Sequence, residues 1–199
     1  MCNAAAGARS PVDARDEVLG LLRHDFRRVL GEFREFARLA SDDEDHACQR
    51  LVQRTFAELK VIAAIEEKLL YPAVHEALEG TDLIEQSEIE HACIRRLVDE
   101  LESAEPDDAS YPKDFRILGE HVRLHVKDEE LELFPALRDA AADWERLRLD
   151  VHSCRAEMAE DLGIAELAQS ATDSTAHFNL PIDAPNTPDN EVIDETAEA

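Results

Sequence analysis

Glutamate and histidine residues recur at helical spacing within apolar stretches of this sequence, and both residue types can bind a metal ion. His125 and Glu129 stand four residues apart, which places their side chains on one side of a helix. Glu66 and His91 each stand in the middle of another apolar stripe. Imidazole nitrogens and carboxylate oxygens bind iron, manganese and zinc. These four residues predict a metal site between helices, and His121, one turn before His125, is a further candidate nitrogen ligand.

Each of these residues also has a simpler structural interpretation. A single buried histidine such as His91 is more often hydrogen-bonded than metal-bound, and His125 could form a buried ion pair with Glu129. Glu66 could accept a hydrogen bond from His91. A buried carboxylate is costly unless it is paired, protonated or bound to metal. We favour the metal site because the polar groups lie at matching depths on three different helices.

The elements that carry these residues are predicted to be long helices. Glycine accounts for 6 of 199 residues and hydrophobic residues for 44%, a composition that favours helices around a buried core. Apolar residues repeat with helical periodicity, which acidic, glycine-containing or proline-containing loops interrupt. We expect an all-α protein, an up-down four-helix bundle with an additional C-terminal helix. The predicted helices span approximately residues 12–39, 46–78, 82–104, 113–140 and 141–168.

The same patterns divide the chain into three parts. Residues 1–12 are small and polar and are expected to be flexible. Residues 13–168 form the predicted bundle, in which the fifth helix is expected to cover an apolar edge or to offer an interaction surface. Residues 169–199 combine acidic residues with proline, which predicts a disordered acidic tail.

A seven-residue pattern occurs twice, on the second and fourth predicted helices. Residues 66–72 and 129–135 both read Glu-Glu-x-x-Leu-aromatic-Pro. Each proline is expected to kink its helix, or to end it and let another turn begin. Helical geometry directs Glu66 toward the interior and Glu67 away from it. Helices two and four are therefore expected to be counterparts across the bundle.

The charge of the chain excludes several classes of partner. The formal net charge is −25, which repels nucleic acid and anionic membranes. No apolar run is long enough to cross a membrane. The four cysteines form no C-x-x-C pair and are expected to be reduced thiols. We therefore expect a soluble cytoplasmic protein that binds neither nucleic acid nor membrane and whose protein partner is unknown.

Across approximately residues 15–140 the chain resembles the hemerythrin HHE cation-binding family. The motifs that carry the resemblance are Glu66-Glu67-Lys68-Leu69-Leu70-Tyr71-Pro72, Glu90-His91, and His125-Val126-Lys127-Asp128-Glu129-Glu130 running on to Phe134-Pro135. The resemblance implies a non-haem di-iron centre that binds oxygen, nitric oxide or peroxide. It also implies that Glu66 and Glu129 are bridging carboxylates and that His91 and His125 are nitrogen ligands.

Two histidines of the family pattern are missing from this sequence. The ligand position on the first helix is occupied by Phe26, and the one on the second helix, four residues before Glu66, by Ile62. His24 lies near Phe26 but points about 160° away from it around the helix axis. In the family these two histidines resemble a pair that serves one iron. Their loss predicts one iron per chain, with apolar side chains filling the vacated space.

Three hypotheses for function follow. The first is a single-iron hemerythrin-like protein that binds or senses oxygen, nitric oxide or peroxide, or handles iron. The alternative is a metal-free four-helix scaffold that acts as a protein-interaction module. The third, ranked last, is a di-iron centre in which Glu58 or His24 replaces the missing histidines. The sequence contains no nucleophile–base pair, phosphate loop or nucleotide fingerprint, so enzymatic activity is left open.

Overall fold

Five main helices form the fold. The computed structural model describes residues 11–41, 45–106 and 108–163, and the all-α prediction is confirmed. The helices are α1 (Pro11–Ser41), α2 (Asp45–Ile65), α3 (Leu83–Ser103), α4 (Tyr111–Asp128) and α5 (Trp144–Asp161). Residues 11 and 12, which the sequence pattern assigned to the flexible N-terminal part, belong to α1. The remainder of that part and the predicted tail at 169–199 lie outside the described residues.

The two repeated motifs form the same local structure. A π-helical turn covers Glu66–Leu70 after α2, and a second covers Glu129–Leu133 after α4. In both, the backbone N–H of the aromatic residue donates to the carbonyl of the first glutamate, five residues earlier. The following proline has no N–H to donate, so an ordinary α-helical ladder cannot continue through it. Each proline is therefore preceded by a widened turn that begins at a buried glutamate, a kind of irregularity that is frequent at functional sites.

The helices pack in an order that leaves one seam less closely packed. α1 lies against α2, α4 and α5, α3 lies against α4, and α5 also contacts α2. Backbone contacts between α2 and α3 are few. Toward the N-terminal end of α4 the core is aromatic, with Phe115 at 4.8 Å from Phe33 and 4.5 Å from Phe36 between ring centroids. Phe115 lies on α4 ten residues before His125, so this aromatic part of the core is at a different level of the bundle from His125.

α5 covers one edge of the bundle, as expected of a fifth helix. Its buried face carries Trp144, Leu147, Val151, Arg155 and Ala159. The helix begins where Asp143 accepts a hydrogen bond from the backbone N–H of Arg146 at 3.0 Å, which caps the first turn. No helix among residues 11–41, 45–106 and 108–163 is long and apolar enough to span a membrane.

Candidate metal centre

Three helical segments bring imidazole and carboxylate groups together in the bundle interior. Glu66 at the start of the first π-helical turn, His91 on α3 and His125 on α4 offer ligand atoms that all lie within 4.8 Å of one another. The Nε2 atoms of the two histidines are 3.0 Å apart, and His91 Nε2 is 3.2 Å from Glu66 Oε2. All three side chains are buried. Three donors of two chemical types thus converge on one point away from water.

Carboxylates outside the cluster fix the orientation of both imidazole rings. His91 Nδ1 is 2.8 Å from Glu67 Oε1, and His125 Nδ1 is 2.9 Å from Glu90 Oε2. Because a carboxylate accepts and does not donate, each Nδ1 carries the proton. Each Nε2 then turns its lone pair, or a second proton, toward the centre. Histidines that bind metals have this arrangement of a carboxylate on the far ring nitrogen.

Glu129 completes the polar interior from the start of the second π-helical turn. Its Oε1 accepts a hydrogen bond from Tyr71 Oη at 2.7 Å and lies 3.9 Å from His125 Nε2. The Tyr71 hydroxyl is also 3.5 Å from His91 Nε2. The second oxygen of Glu129 is buried and accepts no hydrogen bond. That oxygen has no protein partner, although Glu129 lies outside the group of three whose ligand atoms are all within 4.8 Å of one another.

Glu66 is the clearest sign that the cluster is built for a cation. Its side chain is 0% exposed, and neither of its oxygens accepts a hydrogen bond of acceptable geometry. Among the described residues it is the only buried carboxylate with both oxygens in this condition. Burying a carboxylate without a well-formed hydrogen bond is unfavourable, and only the two imidazoles offset that cost here. A metal ion at the point where Glu66, His91 and His125 converge would satisfy it.

Burial and the charges of neighbouring groups shift the pKa values of the residues in the cluster. Burial opposes the ionised form of Glu66, but its interactions with His125 and His91 outweigh burial and lower its pKa to about 2. Burial also opposes the charged form of His125, but Glu66 and Glu90 outweigh it and raise the pKa of His125 to about 10. Burial raises the pKa of Glu129, and the nearby Glu66 raises it further. Because the pKa values of His125 and Glu129 are raised, protons would compete with a cation for this cluster.

Comparison with known proteins agrees with this geometry. The family model described as hemerythrin HHE cation binding domain matches residues 19–137. The chain belongs to this family. No curated protein matches the sequence significantly. A crystal structure of a hemerythrin HHE cation-binding domain-containing protein from Mycobacterium kansasii is similar to this chain, with a TM-score of 0.57 and 20% sequence identity. The similarity covers 77% of this chain and 93% of that one, and it supports the bundle fold.

Within this HHE domain, the two residues that the sequence pattern assigned to missing histidine positions are buried and apolar. Phe26 is 2% exposed and Ile62 is 5% exposed. Phe26 packs with the edge of its ring against His125, at 6.2 Å between centroids, and stacks on Phe134 at 6.1 Å. Apolar bulk thus occupies the interior beside the cluster. That these side chains replace two iron ligands remains an interpretation.

The structure separates the predicted ligands into two groups. It brings Glu66, His91, His125 and Glu129 together, but His121 is exposed and lines a separate surface depression near Lys113. The four-residue step from His125 rotates His121 just past the edge of the buried face. Its position does not support the assignment of His121 as an additional ligand.

The groups considered as replacement ligands also lie elsewhere. Glu58 is buried, but its Oε2 accepts a hydrogen bond from Arg28 at 2.7 Å, so it is already paired between α1 and α2. His24 is partly buried, and burial lowers its pKa. Neither residue contributes to the group of ligand atoms around Glu66.

Sequence reasoning missed the residues that orient the ligands. Glu67 was expected to point away from the interior, yet its carboxylate reaches His91 and also pairs with Arg95. Its side chain is 31% exposed, so it lies at the edge of the buried face, and the contact to His91 was not foreseen from regular α-helical geometry, since a widened turn begins at Glu66. Glu90 and Tyr71 were noted only as parts of motifs. The signal available in the sequence was a carboxylate immediately before His91 and immediately after Glu66.

Proposed function

We propose that this hemerythrin-like domain holds a single iron ion. The observation that carries the proposal is the convergence of two Nε2 atoms, 3.0 Å apart, on a buried carboxylate with no hydrogen-bond partner. Both imidazoles have their Nδ1 atoms occupied by carboxylates. Glu66, His91 and His125 would hold the ion, with the free oxygen of Glu129 as a fourth donor. Iron is proposed over zinc and manganese because of the family, since this donor set suits all three metals.

The proposed ligand of the centre is a small molecule: oxygen, nitric oxide or peroxide. Four protein donors leave coordination positions open on an iron ion, which supplies redox chemistry and a binding position for such molecules. Phe26 and Ile62 make the surroundings of the histidines apolar, and Glu67 and Glu90 fix the imidazoles. Binding or sensing of these molecules, or handling of iron, is the proposed role. A single iron argues against reversible oxygen carriage, which draws two electrons from two irons.

The proposed setting is the cytoplasm. Cys93 and Cys154 are free thiols, and thiols stay reduced in that compartment. The acidic chain, with its net charge of −25, is proposed to have neither nucleic acid nor membrane as a partner.

Metal analysis tests the proposal directly. The full-length protein would be expressed without a histidine tag in iron-supplemented medium, and its metals would be measured by plasma mass spectrometry. We expect about one iron per chain, from the one set of convergent donors. Glu66→Gln should lower the iron content strongly, because it removes the charged ligand. His121→Ala, which changes an exposed histidine on the same helix as His125, should leave it unchanged.

Other metal contents would change the proposal in defined ways. About two irons per chain would mean that additional ligands have replaced the missing histidines, and the single-site proposal would be wrong. Absence of metal would favour a metal-free scaffold that acts as a protein-interaction module. One observation is compatible with that alternative: a proton on His125, whose pKa is raised to about 10, and the hydrogen bond from Tyr71 to Glu129 balance part of the cluster's charge. In a scaffold, Glu66→Gln would be tolerated without any change in bound metal.

A further inference from the structure

An apolar cavity runs from the surface into the bundle beside the histidine pair. Its volume is about 260 Å³. His91 and His125 line its inner end, whereas Glu66 and Glu129 are not among its lining residues. Its walls come from all five helices and consist mainly of aliphatic side chains, among them Val29, Leu59, Ile62, Ile94, Val98 and Val122. The cavity is therefore a separate compartment that adjoins the polar cluster.

The exposed residues that line the cavity lie on or just after α2 and on α3, which places its mouth at the seam where these two helices make few backbone contacts. Its charged lining residues are Lys60, Glu67, Lys68, Arg95 and Asp99. Lys60 Nζ is 2.6 Å from Glu102 Oε1, and Arg95 pairs with Glu67. The Lys60–Glu102 pair connects the two helices across the seam at exposed positions, where such a pair contributes little to stability. That pair can therefore separate at low cost to admit a ligand, whereas Glu67 also holds His91 Nδ1.

The size and chemistry of the cavity define what it could bind. An apolar protein cavity of about 150 Å³ holds benzene, so a cavity of this size suits a molecule of roughly ten non-hydrogen atoms. The charged lining residues are all exposed or partly exposed, and the buried lining residues are apolar apart from the two imidazoles. A charged ligand would lose its hydration there without gaining a partner, whereas an uncharged apolar molecule would gain from leaving water.

We propose that this cavity is a binding site for an uncharged apolar organic molecule, aromatic or aliphatic, whose inner end lies against His91 and His125. A cavity for oxygen or nitric oxide alone would need far less volume. The site goes beyond the proposed iron chemistry, because its walls are complete without a metal. Its inner end adjoins the proposed metal ligands, so an occupant would lie next to any ion bound there.

Titration calorimetry with indole, an uncharged aromatic molecule of suitable size, tests the proposal on the full-length protein as purified. We expect saturable binding with a dissociation constant below about 1 mM. Ile94→Trp fills the cavity from α3 and should weaken binding at least about tenfold. The matched control is Ile89→Trp on the same helix, because Ile89 is 59% exposed. That control should bind indole as the unchanged protein does.

A second variant and a second readout keep the result decisive. Ala63→Phe fills the cavity from the opposite wall. It takes the place of Ile94→Trp if circular dichroism shows that Ile94→Trp does not fold. No saturable binding to the unchanged protein would overturn the proposal. Wild-type affinity in a folded, cavity-filled variant would do the same. Iron content is measured in the same samples, so loss of indole binding with iron retained is distinguished from failure of the metal proposal.

Discussion

Two fully buried carboxylates, Asp25 and Glu66, are treated in opposite ways by the same bundle. Both side chains are 0% exposed. Asp25 on α1 accepts hydrogen bonds on both oxygens from the guanidinium of Arg155 on α5, one of them at 2.7 Å. Glu66 accepts none of acceptable geometry and instead faces two imidazole nitrogens. One carboxylate has a complete protein partner, and the other has a partial one.

The difference separates a structural ion pair from a ligand site. A guanidinium presents two parallel N–H groups to a carboxylate and satisfies it completely. The imidazoles near Glu66 have their Nδ1 atoms engaged by Glu67 and Glu90 and turn the other nitrogen inward. A fold that can pair Asp25 so fully could pair Glu66 as well. The partial satisfaction of Glu66 is therefore better explained by a bound cation than by imperfect packing.

The largest expected effect concerns the structural pair. Arg155→Met would leave Asp25 buried without its main partner, and breaking a buried pair in this way costs about 3–5 kcal/mol. We expect a loss of unfolding free energy in that range, measured by urea denaturation. The double variant Asp25→Leu with Arg155→Met should recover most of it, because a buried pair replaced by apolar residues of similar volume is often neutral.

That experiment can break the comparison. If Arg155→Met alone lowers the unfolding free energy by less than about 1 kcal/mol, Asp25 does not depend on Arg155 as its main partner. The contrast with Glu66 would then lose its meaning.

A smaller effect is expected where a carboxylate acts through a histidine. Glu90 Oε2 lies 2.9 Å from His125 Nδ1, and it fixes the ring so that Nε2 faces the cluster. Glu90→Gln should weaken iron binding by about tenfold to 100-fold, as changes to groups that orient metal ligands commonly do. The measurement is a competition titration with a chelator. Glu88→Gln alters an exposed glutamate on the same helix and should change the affinity little. Equal losses in both variants would indicate general electrostatics, not orientation of His125.

The smallest expected effect is a dependence of stability on pH. Burial and the neighbouring Glu32 raise the pKa of Glu58 to about 7, although Arg28 opposes them. The folded state therefore holds this proton more tightly than the unfolded state, whose pKa is near 4.3. The stability from Glu58 is fully present below the unfolded pKa and is lost as pH rises through 7.

The expected size is about 1–2 kcal/mol between pH 5 and pH 8. Urea denaturation at both values should show that Glu58→Gln loses less stability over this interval than the unchanged protein. Glu100→Gln, at an exposed position on α3, should behave like the unchanged protein. An identical pH dependence in the Glu58 variant would show that this carboxyl is not held in its protonated form.

Much of the fold could be predicted because the signals for each helix lie within its own stretch of sequence. The apolar stripes of α1 to α4 follow the helical period, and the loops near Gly80 and Pro106 interrupt them. The two prolines at 72 and 135 were expected to disturb their helices, and each follows a π-helical turn. The π-helical form itself could not be predicted, since it depends on how the surrounding helices hold the turn.

Candidate ligands could be predicted where the face and the level of a residue on its helix were sufficient to assign it. Glu66, His91, His125 and Glu129 were each assigned to an apolar face at a matching level, and all four are buried. The structure brings the ligand atoms of Glu66, His91 and His125 within 4.8 Å of one another, and Glu129 Oε1 lies 3.9 Å from His125 Nε2. His121 could not be excluded by the same reasoning, because a residue one turn from His125 lies near the edge of the buried face. Small rotations of α4 decide whether such a side chain faces the interior or solvent.

The sequence by itself determined which side chains belong to the interior of each helix, because the period of a helix is a local property. Only the tertiary structure decided which interior groups meet. Asp25 pairs with Arg155, which is 130 residues away in the chain. The packing of neighbouring helices brings His91 to Glu67 and His125 to Glu90. The cavity beside the histidines likewise exists only between helices. Such pairings depend on the rotation and separation of packed helices, which no periodicity in one helix specifies.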